Sequence, residues 1–190
     1  MGTEIRHIIH AGHMVKLISE KLAVATYTYP FAEEKKDIFY SYIKSLPRGS
    51  NPTTDQDENN FLITRRDLYK AEILQPLLQW ITQILHRDFV TRYISYAYQV
   101  HPRHEIKCNE MWGITYQKGS ILGPHTHSPS MYCFSYNLNI PKNSPPLVFT
   151  SSGYRVKSKE GQLIISESRL SHEVPLCKVN NRCVIAGCFR

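Results

Sequence analysis

Beyond residue 106 every apolar stretch of this chain is short, alternating and closed off by a cluster of Gly, Pro, Asn or Ser. Segments of that kind are too brief for stable helices and instead pair into a β-sandwich or barrel. The pattern predicts strands over 108–117, 131–140, 147–150, 154–157, 162–166 and 182–189. Upstream, KLAVATYTY (21–29) alternates, is rich in β-formers and stops at Pro30, so it reads as one more strand. A helix is expected over 32–46: Glu33 and Glu34 occupy its first turn, Ile38, Phe39, Tyr42, Ile43 and Leu46 recur at helical spacing, and Pro47 ends it. The polar run RGSNPTTDQDENN (48–60) reads as a surface connection. A second helix starts at Pro76, with Leu77, Ile81, Leu85 and Phe89 every four residues and Leu78, Trp80 and Ile84 widening the stripe that would lie on a sheet. No internal repeat is visible. A chain of 190 residues has room for one domain with a proper core. The expected organisation is α+β, mainly β: residues 1–105 as strand and helical support, residues 106–190 as the β core.

Charge and cysteine usage narrow the class of protein. Lys and Arg number 23 against 16 Asp and Glu, a net charge of +7, which favours anionic partners. The basic residues are spread along the chain in no dense run, so no motif supports nucleic-acid binding. No apolar run approaches a bilayer span, and residues 1–15 are broken by charges and histidines where a secretion signal needs a continuous apolar centre. The expectation is a cytoplasmic protein with no membrane partner. Five cysteines, Cys108, Cys133, Cys177, Cys183 and Cys188, form an odd set without a C-x-x-C pair, which argues for reduced, mostly buried thiols rather than a disulfide framework or a cysteine zinc site.

The chemistry concentrates in Pro124-His125-Thr126-His127, which ends a glycine-bearing turn. If that backbone is extended, positions 125 and 127 share a face and both imidazoles can meet one metal ion. His172, on a distant segment after the apolar run 162–166, offers a third. Two histidines at one strand end and one from another strand form a mononuclear site with open positions for substrate and oxygen, and imidazole suits Fe(II), Cu or Zn. Arg182 opens the otherwise apolar strand RCVIAGCF. A guanidinium there needs a partner, either a surface acid such as Glu173 or Glu160, or the carboxylate of a small ligand. The other histidines have plainer readings. His7, His10 and His13 could share a helical face or lie in an irregular amino-terminal stretch. His101 and His104 flank a proline in a loop, and His86 falls on the polar side of the second helix. Tyr132, Phe134, Tyr136 and Trp112 read as core.

Taken together, W-G-I-T-Y-Q-K-G-x4-P-H-T-H-S-P-S (112–130), the Tyr-rich MYCFSYNLNIP (131–141), G-Q-L-I-I-S-E-S-R-L-S-H-E-V (161–174) and RCVIAGCF (182–189) make the last 80 or so residues resemble the Fe(II)- and 2-oxoglutarate-dependent oxygenases, in particular the small prolyl-4-hydroxylase-like members. The resemblance implies a double-stranded β-helix, a jelly-roll or cupin-like core with N-terminal helices packed on it. It implies His125 and His172 as iron ligands with His127 completing the set, Arg182 clamping the distal carboxylate of 2-oxoglutarate, and Tyr116 hydrogen-bonding that co-substrate. The activity implied is a dioxygenase reaction in which O2 and 2-oxoglutarate are consumed to hydroxylate a substrate. Two departures stand out. His127 occupies the place of the usual carboxylate, leaving the metal site one unit more positive, and Val184 stands where many members carry a Ser. The substrate is not legible; the connections 48–60 and 142–154 are the expected specificity loops, and the basic charge suits an anionic substrate. Two further readings are a three-histidine cupin-type dioxygenase that does not use 2-oxoglutarate and a non-catalytic metal-binding barrel.

Overall fold

RCVIAGCF forms β12 (Arg182–Phe189), all eight residues of which are buried. A strand can be apolar on both faces only if both are covered, and this one runs between β7 (Tyr132–Asn139) and β5 (Cys108–Tyr116) in the middle of a sheet. We describe the chain from a computed structural model over residues 6–10, 13–19, 22–47, 61–94 and 106–190. The remaining strands are β1 (Arg6–His10), β2 (His13–Ser19), β3 (Leu22–Thr28), β4 (Phe61–Ile63), β6 (Leu122–His125), β8 (Leu147–Phe149), β9 (Tyr154–Val156), β10 (Gln162–Glu167) and β11 (His172–Val174). They form two antiparallel sheets, an eight-stranded one in the order β1-β2-β3-β10-β7-β12-β5-β4 and a four-stranded one in the order β6-β11-β8-β9.

Residue parity along the large sheet separates two cores. Cys183 and Ile185 of β12, Tyr132, Phe134, Tyr136 and Leu138 of β7, and Leu163 and Ile165 of β10 face the helices, where they meet Phe39 and Ile43 of α1 (Ala32–Ser45) and Leu77, Ile81 and Ile84 of α2 (Gln75–Ile84). Val184, Ala186 and Cys188 of β12, Trp112, Ile114 and Tyr116 of β5, and Ile164 of β10 face the small sheet, whose Leu147, Phe149, Val156 and Val174 close the second core. The continuous apolar runs of these strands thus follow from a sheet covered on both sides.

The helices fall where the periodicity puts them. The second has Pro at its start and is preceded by 3-10 turns at Leu68–Lys70 and Glu72–Leu74; after Ile84 it continues as a π-helical segment, Leu85–Ile94, that keeps Leu85 and Phe89 buried. The amino-terminal portion carries more strand than expected. Residues 6–10 and 13–19 form a hairpin that pairs onto β3, with His10 opposite His13, so His7, His10 and His13 lie on strands and share no helical face. His101, His104 and the connection 48–60 lie outside the described residues. Among the described residues, no helix is long and apolar enough to cross a membrane, and all five cysteines are free thiols.

Candidate metal centre

Two turn residues fix the strand that carries the first histidine. Gly119 adopts a φ of +96°, a conformation that favours glycine, and the buried Ser120 hydroxyl accepts a hydrogen bond from the Gln117 N–H at 2.9 Å. Main-chain bonds of 2.8 Å, Gly119 N–H to the Cys177 carbonyl and Cys177 N–H to the Ser120 carbonyl, then tie the entry of β6 to the exit of β11. Within the pair, His125 lies directly opposite His172, and directly opposed residues of an antiparallel ladder present their side chains on the same face. The two ring centroids are 4.5 Å apart.

His127 lies two residues past His125, beyond the end of β6. Its ring centroid is 5.0 Å from that of His125 and 5.2 Å from that of His172. One nitrogen from each of the three rings lies within 4.8 Å of the others. His125 Nδ1 bonds the Gly123 carbonyl at 2.8 Å and His172 Nδ1 the Leu170 carbonyl at 2.9 Å. A carbonyl only accepts, so each Nδ1 carries the proton and each Nε2 keeps a lone pair for a metal. Burial, reinforced by the neighbouring imidazoles and by Arg66, pushes the His127 pKa down to about 3. Burial, together with His125, pushes that of His172 down to about 4, against a raising contribution from its bond to Leu170. Both rings are therefore neutral at pH 7, the form that ligates.

From the histidines a narrow cavity of about 50 Å³ runs between the sheets, lined by Tyr116, Ile164, Ser166, Val184 and Arg182 among others. Arg182 is 2 % exposed. Its guanidinium lies 4.5 Å from the centre of the Tyr116 ring, and its Nε and Nη1 have no hydrogen-bond partner among the described residues. Burial raises the Tyr116 pKa, with Arg182 partly opposing the shift, so the phenol keeps its proton at neutral pH. A wider groove of about 560 Å³ opens on the outer side of His125 and His127, between β4 and the segment 122–130, with Trp112 and Arg66 in its wall. Arg66 Nη1 donates to Glu110 Oε2 at 3.0 Å and lies over the Trp112 ring at 4.8 Å.

The structure thus brings His125, His127 and His172 together and puts Arg182 and Tyr116 on one cavity with them. Among the described residues, Arg182 makes no ion pair with Glu173 or Glu160, the acids expected as alternatives to a ligand: Glu160 pairs with Lys36 at 2.8 Å, and two of the guanidinium nitrogens remain unpaired. Tyr132, Phe134 and Tyr136 pack into the helix-facing core as expected. Trp112 is core too, but it also lines both the cavity and the groove. Of the expected specificity connection 142–154, Leu147 reaches the cavity, and no residue lines the groove among the described residues. Ser168, which no sequence signal distinguishes from its neighbouring serines, is buried against the His127 segment.

Two antiparallel sheets enclosing a narrow cavity with three histidines at its mouth define a β-sandwich built around a candidate metal centre. Neither a family model nor a curated protein matches the chain by sequence. Solved structures do match it by fold. The viral collagen prolyl hydroxylase of Paramecium bursaria Chlorella virus-1, solved as a 2-oxoglutarate complex, superposes with a TM-score of 0.65 at 11% identity, covering 88% of this chain and 94% of that one. A Pseudomonas putida prolyl-4-hydroxylase gives 0.61 at 17% identity over 88% and 91% of the two chains. HygX from Streptomyces hygroscopicus, with nickel and 2-oxoglutarate bound, gives 0.60 at 10% identity over 87% and 82%. The chain therefore has the fold of the 2-oxoglutarate/Fe(II) oxygenases.

Proposed function

We propose that the chain is a non-haem Fe(II)/2-oxoglutarate-dependent oxygenase, a single domain whose two sheets form a double-stranded β-helix. The observation that carries this reading is Arg182: a buried guanidinium with two unpaired donors, lining the cavity that ends at the three histidines. An unpaired buried charge is costly, and a carboxylate delivered by a ligand offsets that cost by accepting from the guanidinium. The similarity in fold to structures holding 2-oxoglutarate supports the same ligand class.

In this reading His125, His127 and His172 hold the metal, the first two at the strand end and its extension, the third from the opposite strand. Bound together, Fe(II) and 2-oxoglutarate supply reduction of O2 coupled to decarboxylation and hydroxylation of a third molecule. The chain's own contribution is placement. Arg182 and the protonated Tyr116 donate hydrogen bonds to the distal carboxylate, and the apolar walls Ile114, Ile164, Val174 and Val184 keep water from the cavity. The groove beside His125 and His127 receives the substrate; its wall carries Arg190 and the Arg66–Glu110 ion pair, and the net charge of +7 suits an anionic one. Structures of this fold include one of HygX with hygromycin B and one of a Trichoplax adhaerens prolyl hydroxylase with a peptide fragment, so fold similarity does not select between small-molecule and peptide substrates.

The test is anaerobic. Fe(II) followed by 2-oxoglutarate is expected to produce a visible charge-transfer band, absent in His172→Ala; Arg182→Ala should keep the metal and weaken the co-substrate. The all-imidazole ligand set is the one observation that favours a three-histidine dioxygenase independent of 2-oxoglutarate, and bound iron without the band would support it. Failure to bind any metal would leave a non-catalytic barrel.

A further inference from the structure

We propose that Ser168 is a positioning residue for the third histidine, setting the place of His127 through the main chain. The inference rests on the metal-centre reading above. His125 and His172 are each held by a ring hydrogen bond to the carbonyl two residues earlier. The His127 ring has no such bond among the described residues; it meets only other rings, Trp112 at 5.7 Å and the two histidines. It also lies past the end of β6, where no ladder orders the backbone.

What holds that backbone is a knot around one serine, itself 2 % exposed. The His127 N–H donates to the Ser168 carbonyl at 2.8 Å, and the Ser168 N–H donates to the Met131 carbonyl at 3.0 Å. The Ser168 hydroxyl donates to the Ser130 carbonyl. Within the loop, the Ser130 N–H donates back to the His127 carbonyl at 3.0 Å. Residues 127–131 are thereby clamped at both ends to the turn that leads, four residues on, to His172. Removing the hydroxyl leaves the Ser130 carbonyl without this donor and loosens the Ser130 end of the loop, whose N–H holds the His127 carbonyl, while the bonds that orient His125 and His172 are untouched.

The probe is Co(II), whose visible absorption reports ligand number and geometry. Wild-type protein is expected to give a spectrum that His127→Ala alters. Ser168→Ala should move the spectrum in the direction of His127→Ala and weaken Co(II) about tenfold, in line with the effect of removing groups that orient a metal ligand. Ser168→Thr, which keeps the hydroxyl, should restore both. An unchanged spectrum and affinity in Ser168→Ala, even with a lower melting temperature, would reduce the residue to a structural role and overturn the proposal; so would equal changes in Ser168→Ala and Ser168→Thr. Independently of any variant, the His127 amide should exchange slowly with solvent in the wild-type protein, and rapid exchange would also overturn it. Wild-type protein that takes up no Co(II) would instead refute the metal-centre reading on which it rests.

Discussion

Replacing Arg182 by methionine should make the ligand-free protein more stable while removing its response to 2-oxoglutarate. Arg182 is fully enclosed and leaves Nε and Nη1 unpaired. Each buried donor without a partner costs about 1–3 kcal/mol. Against this stand the stacking on Tyr116, worth about 1–2 kcal/mol for a desolvated cation over a ring, and about 1 kcal/mol for the smaller volume of methionine. The balance runs from about −1 to about +4 kcal/mol and centres on a net gain of about 1.5 kcal/mol, in keeping with what is found when buried ionic groups are replaced by apolar ones of similar size. For a chain of this length each kcal/mol moves the melting temperature by about 2–4 °C. The assay is thermal unfolding in the presence of Mn(II), with and without 2-oxoglutarate, manganese standing in for iron so that nothing turns over. Wild-type protein at a hundredfold excess over Kd should gain about 2.7 kcal/mol from the ligand, and Arg182→Met should gain none. The two proteins therefore exchange rank: the variant melts higher when empty, the wild type at least draws level when filled. A ligand-free variant destabilised by more than about 1 kcal/mol would mean that the guanidinium is satisfied within the fold, and an equal ligand response in both proteins would remove Arg182 from the site.

Other expectations follow from the same geometry. His127→Asp lowers the charge of the ligand set by one and should tighten Mn(II) binding several-fold in a titration, since carboxylate suits that ion better than imidazole does; weaker binding would show a site shaped for three imidazoles. The metal-free protein should lose stability as the pH falls from about 6.5, where the unfolded chain begins to bind protons, towards 4. His127 and His172 resist protonation in the fold down to about 3 and about 4, so the unfolded state binds more protons throughout that window, at up to about 1.4 kcal/mol per pH unit for each histidine. Denaturant midpoints across that range for wild type and His172→Asn check the sign, and a wild type that gains stability on acidification would refute it. Gly187→Ala would set a Cβ 2.6 Å from the Glu110 carbonyl and 2.5 Å from Phe134 Cε1, and a clash with backbone in a packed sheet should cost about 1–3 kcal/mol in chemical denaturation. Burial holds the thiols of Cys108 and Cys188 near 12 and those of Cys133 and Cys183 near 11, so these four should resist iodoacetamide in the folded protein at neutral pH and react once it is unfolded.

The elements legible in the sequence are those that decide their own conformation. β12 spans 182–189 as expected, and β5, β7 and β10 agree within a residue at either end, because long β-branched and aromatic runs closed by turn residues have few alternatives. β6 and β11 were not legible as strands. They are four and three residues long, β6 is mostly exposed and reads Leu-Gly-Pro-His, and only their mutual pairing makes them extended. The hairpin 6–19 was missed for a related reason: its charges and histidines interrupt the alternation, and β3 supplies the template. At the site, the H-x-H spacing was legible, but β6 ends at His125, and His127 is held beside it by a main-chain bond to Ser168 that the sequence does not announce. The unpaired state of Arg182 was not legible, because it depends on which side chains the fold brings to the buried head of β12.

The ligand set also bears on which small molecule the cavity accepts. Among the described residues, no Asp or Glu lines the cavity between the histidines and Arg182. A divalent cation among three neutral imidazoles keeps both of its charges, and Arg182 adds a third within the same low-dielectric space, where like charges repel far more strongly than in water. A neutral chelator would leave all three uncompensated. A monoanion could answer the metal or the guanidinium but not both. A dicarboxylate long enough to reach from one to the other answers both, which is the charge pattern of 2-oxoglutarate. One positive charge would still remain, whereas a carboxylate at position 127 would have cancelled it. That surplus lies beside a groove whose wall carries Arg190 and the Arg66–Glu110 ion pair, on a chain with a net charge of +7. If the three histidines hold the metal as proposed, imidazole in place of carboxylate leaves the filled site one unit more positive towards the groove.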